Sequence, residues 1–229
     1  MKNVGKLLFL TGFLLATLFN LIAVWADLEA LSFESQLTAD GGLALNCPVL
    51  VTAAAPVQIS ATVKNGGQKE MRRTLRATLT QGSVIYTRRE EQIFDLAPGQ
   101  ARRFSWALSL EDAAWGRVAM ARIYLFRAYP DPSASASCGV FVLPVNLPGE
   151  WVTALWLLLA GGLILLGGRA WLGGGFSPNE ERIVWVLGDL AALGVFANLM
   201  GWFALAGAAL LFAVFAALVV GVADRQGNR

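Results

Sequence analysis

Val57-Gln58-Ile59-Ser60-Ala61-Thr62-Val63-Lys64-Asn65-Gly66-Gly67 is the stretch that decides the fold. Val57, Ile59, Ala61 and Val63 alternate with Gln58, Ser60, Thr62 and Lys64, so an extended chain here is apolar on one face only. Lys64 to Gly67 then supplies turn chemistry. The same period returns twice. Leu75, Ala77 and Leu79 alternate with Thr74, Arg76, Thr78 and Thr80. Phe104, Trp106, Leu108 and Leu110 follow the turn Ala97-Pro98-Gly99-Gln100. Further strands are expected at Ala30–Leu37, Leu43–Val51, Val84–Thr87, Arg117–Arg127 and Gly139–Val145, with a short irregular turn at Ala113–Trp115. Short strands separated by turns, with no long helical period between them, predict an all-β sandwich over residues 27–150.

Part of this module resembles a known family. The strand that ends at Asn65-Gly66, followed by Leu96-Ala97-Pro98-Gly99-Gln100 and Phe104-Ser105-Trp106, is similar to bacterial immunoglobulin-like surface domains of the CARDB and DUF11 sort. The resemblance implies an immunoglobulin-like sandwich used for adhesion, spacing or partner contact. It brings no catalytic residues with it.

Outside residues 27–150 the chain reads as membrane. Of 229 residues, 56% are hydrophobic and 15% charged, against roughly 25% charged in soluble domains. A net charge of +2 without a concentrated basic face gives no reason to expect nucleic acid. The absence of histidine removes His-based triads, His-ligated haem and most catalytic zinc sites. Residues 1–26 carry Lys2 and Lys6 and then the apolar run Leu7–Trp25. Two readings fit: a secretory signal cleaved before Asp27, and an uncleaved transmembrane signal anchor. The run is long for a signal and close to a full span, which favours the anchor. Residues 151–172 form a second span, 173–182 a glycine-rich cytoplasmic loop, and 183–229 a hairpin of helices 3 and 4 with a short tail, divided near Asn198–Trp202. The fold expected is therefore four transmembrane α-helices with an extracytoplasmic all-β sandwich between helices 1 and 2. Lys2, Lys6, Arg169, Arg182, Arg225 and Arg229 then share one side, which makes both termini cytoplasmic. Trp25, Trp151 and Trp202 mark the outer boundary, and Trp171 and Trp185 the inner one.

Few residues point to chemistry. Cys47 and Cys138 would lie in an oxidising compartment, and their wide spacing suits a structural disulfide better than a redox pair. Asp189 falls inside the third span, where a carboxylate must face protein or water. It is read as a polar contact with a neighbouring helix, Arg182 or a partner chain supplying the counter-charge, rather than as an ion site. Gly188-Asp189 resembles the motif of intramembrane aspartyl proteases only partly: Val186 replaces the first glycine, and no second intramembrane aspartate exists. Asn20 and Asn198 are further intramembrane polar groups, expected to hydrogen-bond across helices or, for Asn198, to serve the hairpin turn. Ala209, Ala213, Ala217 and Gly221 recur every four residues and predict a close helix–helix contact; Gly188 and Ala192 form a shorter version. Arg72, Arg73 and Arg76, with Arg88 and Arg89 against Glu90 and Glu91, read as a solvated strand surface.

No nucleophile–base pair, metal cluster or cofactor motif is visible in the sequence, and no enzymatic activity is expected. The expectation is a non-catalytic accessory or assembly subunit of a larger complex in the bacterial cytoplasmic membrane, with the lipid bilayer and membrane-protein subunits as partners. The alternative is a component or auxiliary subunit of a transporter or channel. The order of one span, a disulfide-bonded β domain and three spans resembles the claudin layout in topology. The claudin Trp-Gly-Leu-Trp motif and a second outer loop are missing.

Overall fold

The computed structural model describes residues 2–33, 42–126, 133–173 and 178–227, with side-chain surroundings for all of these except 178–179 and 220–227. The chain forms two compact units: a β unit, residues 25–150, and a helical unit, residues 1–24 and 151–229.

Among the described residues, the β unit holds nine strands in two sheets. In the first, β1 (Leu43–Asn46), β3 (Val57–Lys64) and β6 (Ala101–Leu108) run in the order β1-β3-β6, all antiparallel. The second has the order β2-β9-β8-β4-β5, built from β2 (Leu50–Thr52), β4 (Met71–Gln81), β5 (Ser83–Leu96), β8 (Val118–Phe126) and β9 (Ala134–Leu143). The two-residue β7 (Ala113–Ala114) pairs with β8. β2 lies parallel to β9, so this sheet is mixed. The two sheets share one apolar core. Ile59, Ala61, Val63, Phe104, Trp106 and Leu108 come from the first; Leu75, Leu79, Phe94, Ile123, Leu125 and Val140 come from the second. The period-two residues of β3, β4 and β6 are thus the core itself. The disulfide Cys47–Cys138 ties the end of β1, in one sheet, to β9 in the other.

Three segments differ from the sequence expectation. Ala113–Ala114, expected within a short irregular turn, forms β7 instead, paired with β8. Ala30–Ser32 is the end of helix α1 (Lys2–Ser32), not a strand; residues 34–37 of that expected strand lie outside the described residues. Ala26 and Ala30 are buried against Ala114, Val118 and Met120, and this contact continues the helix past the apolar run. Leu43–Val51 is not one strand. Pro48, which lacks an N–H, separates β1 from β2, and the two pair in different sheets. The turn expected at Lys64–Gly67 ends β3 and leads from one sheet to β4 in the other. The buried Asn65 donates to the carbonyls of Lys69 (2.8 Å) and Leu96 (2.9 Å) and accepts from Gly67 N–H (3.0 Å), which holds the crossover loop in shape. The arginine runs pair across β4 and β5: Arg76 with Glu91 at 2.6 Å, Arg72 with Asp95 at 3.9 Å.

The helical unit contains the first part of α1, then α2 (Gly149–Leu172), α3 (Pro178–Leu199) and α4 (Phe203–Gly227). Among the described residues, three helices are long and apolar enough to cross a membrane: Lys2–Ser32, Gly149–Leu172 and Glu180–Leu199. The described part of α4, Phe203–Val219, is apolar and shorter. α3 ends in a tight cap. Gly201 takes φ +71°, Trp202 N–H donates to Ala197 C=O (2.8 Å) and Gly201 N–H to Asn198 C=O (3.0 Å). This is the Schellman pattern, in which a left-handed glycine satisfies the last carbonyls. Trp202 packs edge-on against Phe196 at 5.8 Å, the apolar contact that goes with it.

Candidate functional site

The site is a groove in the helical unit, and its walls are set by how the helices pack. α1 and α2 approach at glycines. A Cβ on Gly5 would collide with the backbone of Ala170 and Trp171, one on Gly12 with the Ala160 carbonyl, and one on Gly167 with the backbone of Leu8 and Phe9. Small residues let helix backbones come close where lipid provides no hydrophobic drive for association. Around these contacts, Phe9 is fully buried and meets the Trp171 ring edge-on at 5.7 Å. Lys6 sits 5.4 Å over the same indole, Lys2 pairs with Glu180 at 3.0 Å, and Trp156 Nε1 donates to the Leu15 carbonyl at 3.0 Å.

Two polar residues singled out in the sequence lie together. Asn20 on α1 and Asn198 on α3 are both buried, and Asn198 Nδ2 donates to Asn20 Oδ1. Gly194 makes room for this pair: a Cβ there would collide with the Asn20 carboxamide. Asn198 therefore serves an interhelical bond with its side chain and the α3 cap with its carbonyl.

The alanine stripe of α4 faces inward. Ala209 and Ala213 are buried, and Ala213 and the half-buried Ala217 pack in one cluster with Val184, Leu187 and Ala191 of α3. Gly221 lies in α4 beyond the described side-chain surroundings. The described stripe thus serves a contact within this chain. On the other side of α4, Leu211, Phe212, Phe215 and Leu218 are exposed.

Asp189 behaves differently from the asparagines. It is the tenth residue of the candidate span Glu180–Leu199, and its side chain is exposed. Among the described residues, no hydrogen bond or ion pair reaches its carboxylate. Arg182, two turns earlier on α3, is also exposed and does not pair with it. Asp189 opens into a groove of about 460 Å³ between α2 and α3, with Phe9 and Ala16 of α1 at its floor. Gly161, Ile164 and Gly168 of α2 line one wall, and Val184, Gly188 and Ala192 of α3 the other. The sequence-predicted pair Gly188 and Ala192 therefore flanks the carboxylate in an open groove. Arg169, in the last turn of α2, lies at one end.

Sequence reasoning missed Gly5, Gly12, Gly167 and Gly194. The chain has 24 glycines, and nothing in their local spacing marks these as contact points. It also missed Asp27, which accepts from Gly139 N–H of β9 at 3.1 Å within the β unit. Asp27 lies past the apolar run of α1. Burial raises its carboxyl to about 6, with the Gly139 hydrogen bond working the other way. No cluster of three or more histidine, cysteine, aspartate or glutamate side chains able to hold a metal occurs among the described residues.

No protein-family model matches the chain, and no curated protein does. Among solved structures, it is similar to a β-glucosidase from Listeria innocua at 12% identity and TM-score 0.32, over 50% of this chain and 17% of that one. It is also similar to the alkylpurine DNA glycosylase AlkC from Pseudomonas fluorescens, at 8% identity and TM-score 0.30, over 44% of this chain and 30% of that one. A β-glucosidase from Erythrobacter marinus matches at 16% identity and TM-score 0.30, over 45% of this chain and 15% of that one. The chain spans under a third of each of these proteins, and likeness at this level says nothing about activity.

Proposed function

We propose that this chain is a non-catalytic accessory or assembly subunit of a larger complex in the bacterial cytoplasmic membrane. Leu7–Trp25, α2, α3 and α4 serve as four spans, both termini are cytoplasmic, and the β unit stands outside as an immunoglobulin-like sandwich. The positive-inside distribution of Lys2, Lys6, Arg169 and Arg182 supports this orientation. The observation that carries the reading is the exposed Asp189 in its groove. A carboxylate at that depth faces protein or water, and this chain leaves it uncovered, which supports completion of the site by another protein.

Gentle detergent extraction from native membranes, followed by identification of what co-purifies, tests the reading. A stoichiometric membrane-protein partner is expected. Recovery of this chain alone, together with ion flux from the purified protein in liposomes, would replace it with the transport reading.

A further inference from the structure

We infer that the groove between α2 and α3 takes a membrane-spanning helix of a different protein, which sets a lysine or arginine opposite Asp189. The inference rests on the accessory-subunit reading and names the chemistry of the partner.

The groove is shaped for a helix. Gly161 and the exposed Ala192 keep its walls low, so a second backbone can approach closely, while Gly168 and Gly188 face Val184 and Ile164 across the groove. A Cβ on Gly161 would meet nothing within 4 Å, which is the space an incoming helix would use. Ile164 and Val184 give the groove an apolar lining, and Asp189 adds a single negative charge. An apolar surface with one mid-span carboxylate is complementary to an apolar helix with one cation. In a low-dielectric setting the pair gains far more than it would in water.

The cation has to come from another chain. Leu7–Trp25, Trp151–Gly168 and Ile183–Ala223 contain no lysine, arginine or histidine, and Asp189 is their one ionisable side chain. A second copy of this protein would offer no counter-charge at that depth. Arg169 is poorly placed to serve. Its neighbour Gly168 lies level with Val184, while Gly188 lies level with Ile164. Arg169 is thus about six residues nearer the helix end than Asp189, or roughly 9 Å along the axis. From the last turn of α2 its long side chain reaches the bilayer surface. The buried asparagines need nothing from outside, because they satisfy each other.

The test places a photo-crosslinking amino acid at Ala192 in the full-length protein, in native membranes, with the crosslinked peptide sequenced by mass spectrometry. The expected product is a hydrophobic segment of another protein containing a lysine or arginine. Asp189→Asn should lower partner recovery at least tenfold with no loss of thermal stability. Asp189→Lys should abolish recovery, and exchanging the crosslinked segment's basic residue for glutamate should restore it. Gly161→Leu, whose Cβ would meet nothing within 4 Å and whose side chain would occupy the groove, should also block recovery. Crosslinks only to lipid, to a second copy or to a segment without a basic residue would overturn the inference, as would full recovery with Asp189→Asn. If a stoichiometric partner still co-purifies in those cases, the accessory-subunit reading survives; if none ever does, that reading fails first.

Discussion

The two units hold together in different ways. In the β unit the core is made by large side chains: Ile59, Leu75, Leu79, Leu108, Ile123 and Leu125 are all buried to within 1%. Close approach at a glycine occurs there where the helix meets the sheet, at Gly139, whose Cβ would collide with the Ala26 carbonyl. In the helical unit the closest contacts are made where side chains are missing, at Gly5, Gly12, Gly167 and Gly194. The solvents explain the difference. Water drives apolar area together, so the β unit gains from every buried methylene. Lipid tails are as apolar as leucine, so helices associate through close fit and a few polar bonds. The buried polar groups of the two units find different partners. Thr80 in the β core bonds backbone at Asp112 (2.6 Å) and Met120 (2.9 Å), whereas the helical unit matches one buried asparagine with another.

The largest effect that would sharpen this contrast is expected at Gly12. Gly12→Leu drives a side chain into the α2 backbone and should abolish a monodisperse, folded protein on size-exclusion chromatography. Gly162→Leu, where a Cβ meets nothing within 4 Å, should behave as the wild type. If both variants fold equally well, close glycine approach is not what holds α1 to α2.

Removing the disulfide should act on the β unit alone. Its ends are 91 residues apart in sequence, and a closed loop of that length is worth about 4.6 kcal/mol in the chain-entropy picture. The double variant Cys47→Ser/Cys138→Ser should shift β-unit unfolding in urea by that order while helical circular dichroism persists. An unchanged midpoint would mean the apolar core already holds the two sheets.

Asp27 gives the β unit a pH dependence. Its folded carboxyl titrates near 6, above the ordinary value of 3.8, because burial disfavours the charged form. Between those values the folded state binds more protons than the unfolded state. This stabilisation is present below pH 4, is lost as pH rises toward 6, and is flat beyond, with a total on the order of 2–3 kcal/mol. Asp27→Asn keeps an acceptor for Gly139 N–H and should flatten the profile in melts from pH 4 to 7. A variant that retains the wild-type slope would assign the titration to another group.

The smallest expected effect is at Trp115. It is the one non-glycine at positive φ (52°) among the described residues, and it is followed by Gly116 at 67°. Arg117 N–H donates to Ala114 C=O at 3.1 Å, closing a turn with two left-handed central residues between β7 and β8. Asparagine tolerates that conformation and tryptophan does not favour it. Trp115→Asn should therefore raise β-unit stability by up to about 1 kcal/mol, read as a rise of a few degrees in melting temperature. A lower melting temperature would show that the exposed indole packs more than it strains.

Much was legible from local pattern because the physics there is local. Alternation along Val57–Lys64 and Leu75–Leu79 reports the face that meets the apolar core whatever the strands pair with; it does not report that Ser60 and Thr78 on the other face are buried as well. The break near Asn198–Trp202 is legible because an apolar run that long exceeds one bilayer, and Gly201 can take the left-handed cap. The tertiary structure decided everything that depends on a distant neighbour. Ala30–Ser32 is helical because Ala26 and Ala30 have a sheet to pack on. Leu43–Val51 divides because two sheets claim its two ends. Asn20 and Asn198 lie 178 residues apart and meet only in the folded bundle. Ala213 repeats as regularly as any residue of its stripe, yet periodicity along one helix cannot tell whether that face meets this chain or another; packing against α3 settled it. Asp189 is visible as a charge in an apolar run, but whether it is covered depends on the arrangement of α1, α2 and α3, which leaves it open.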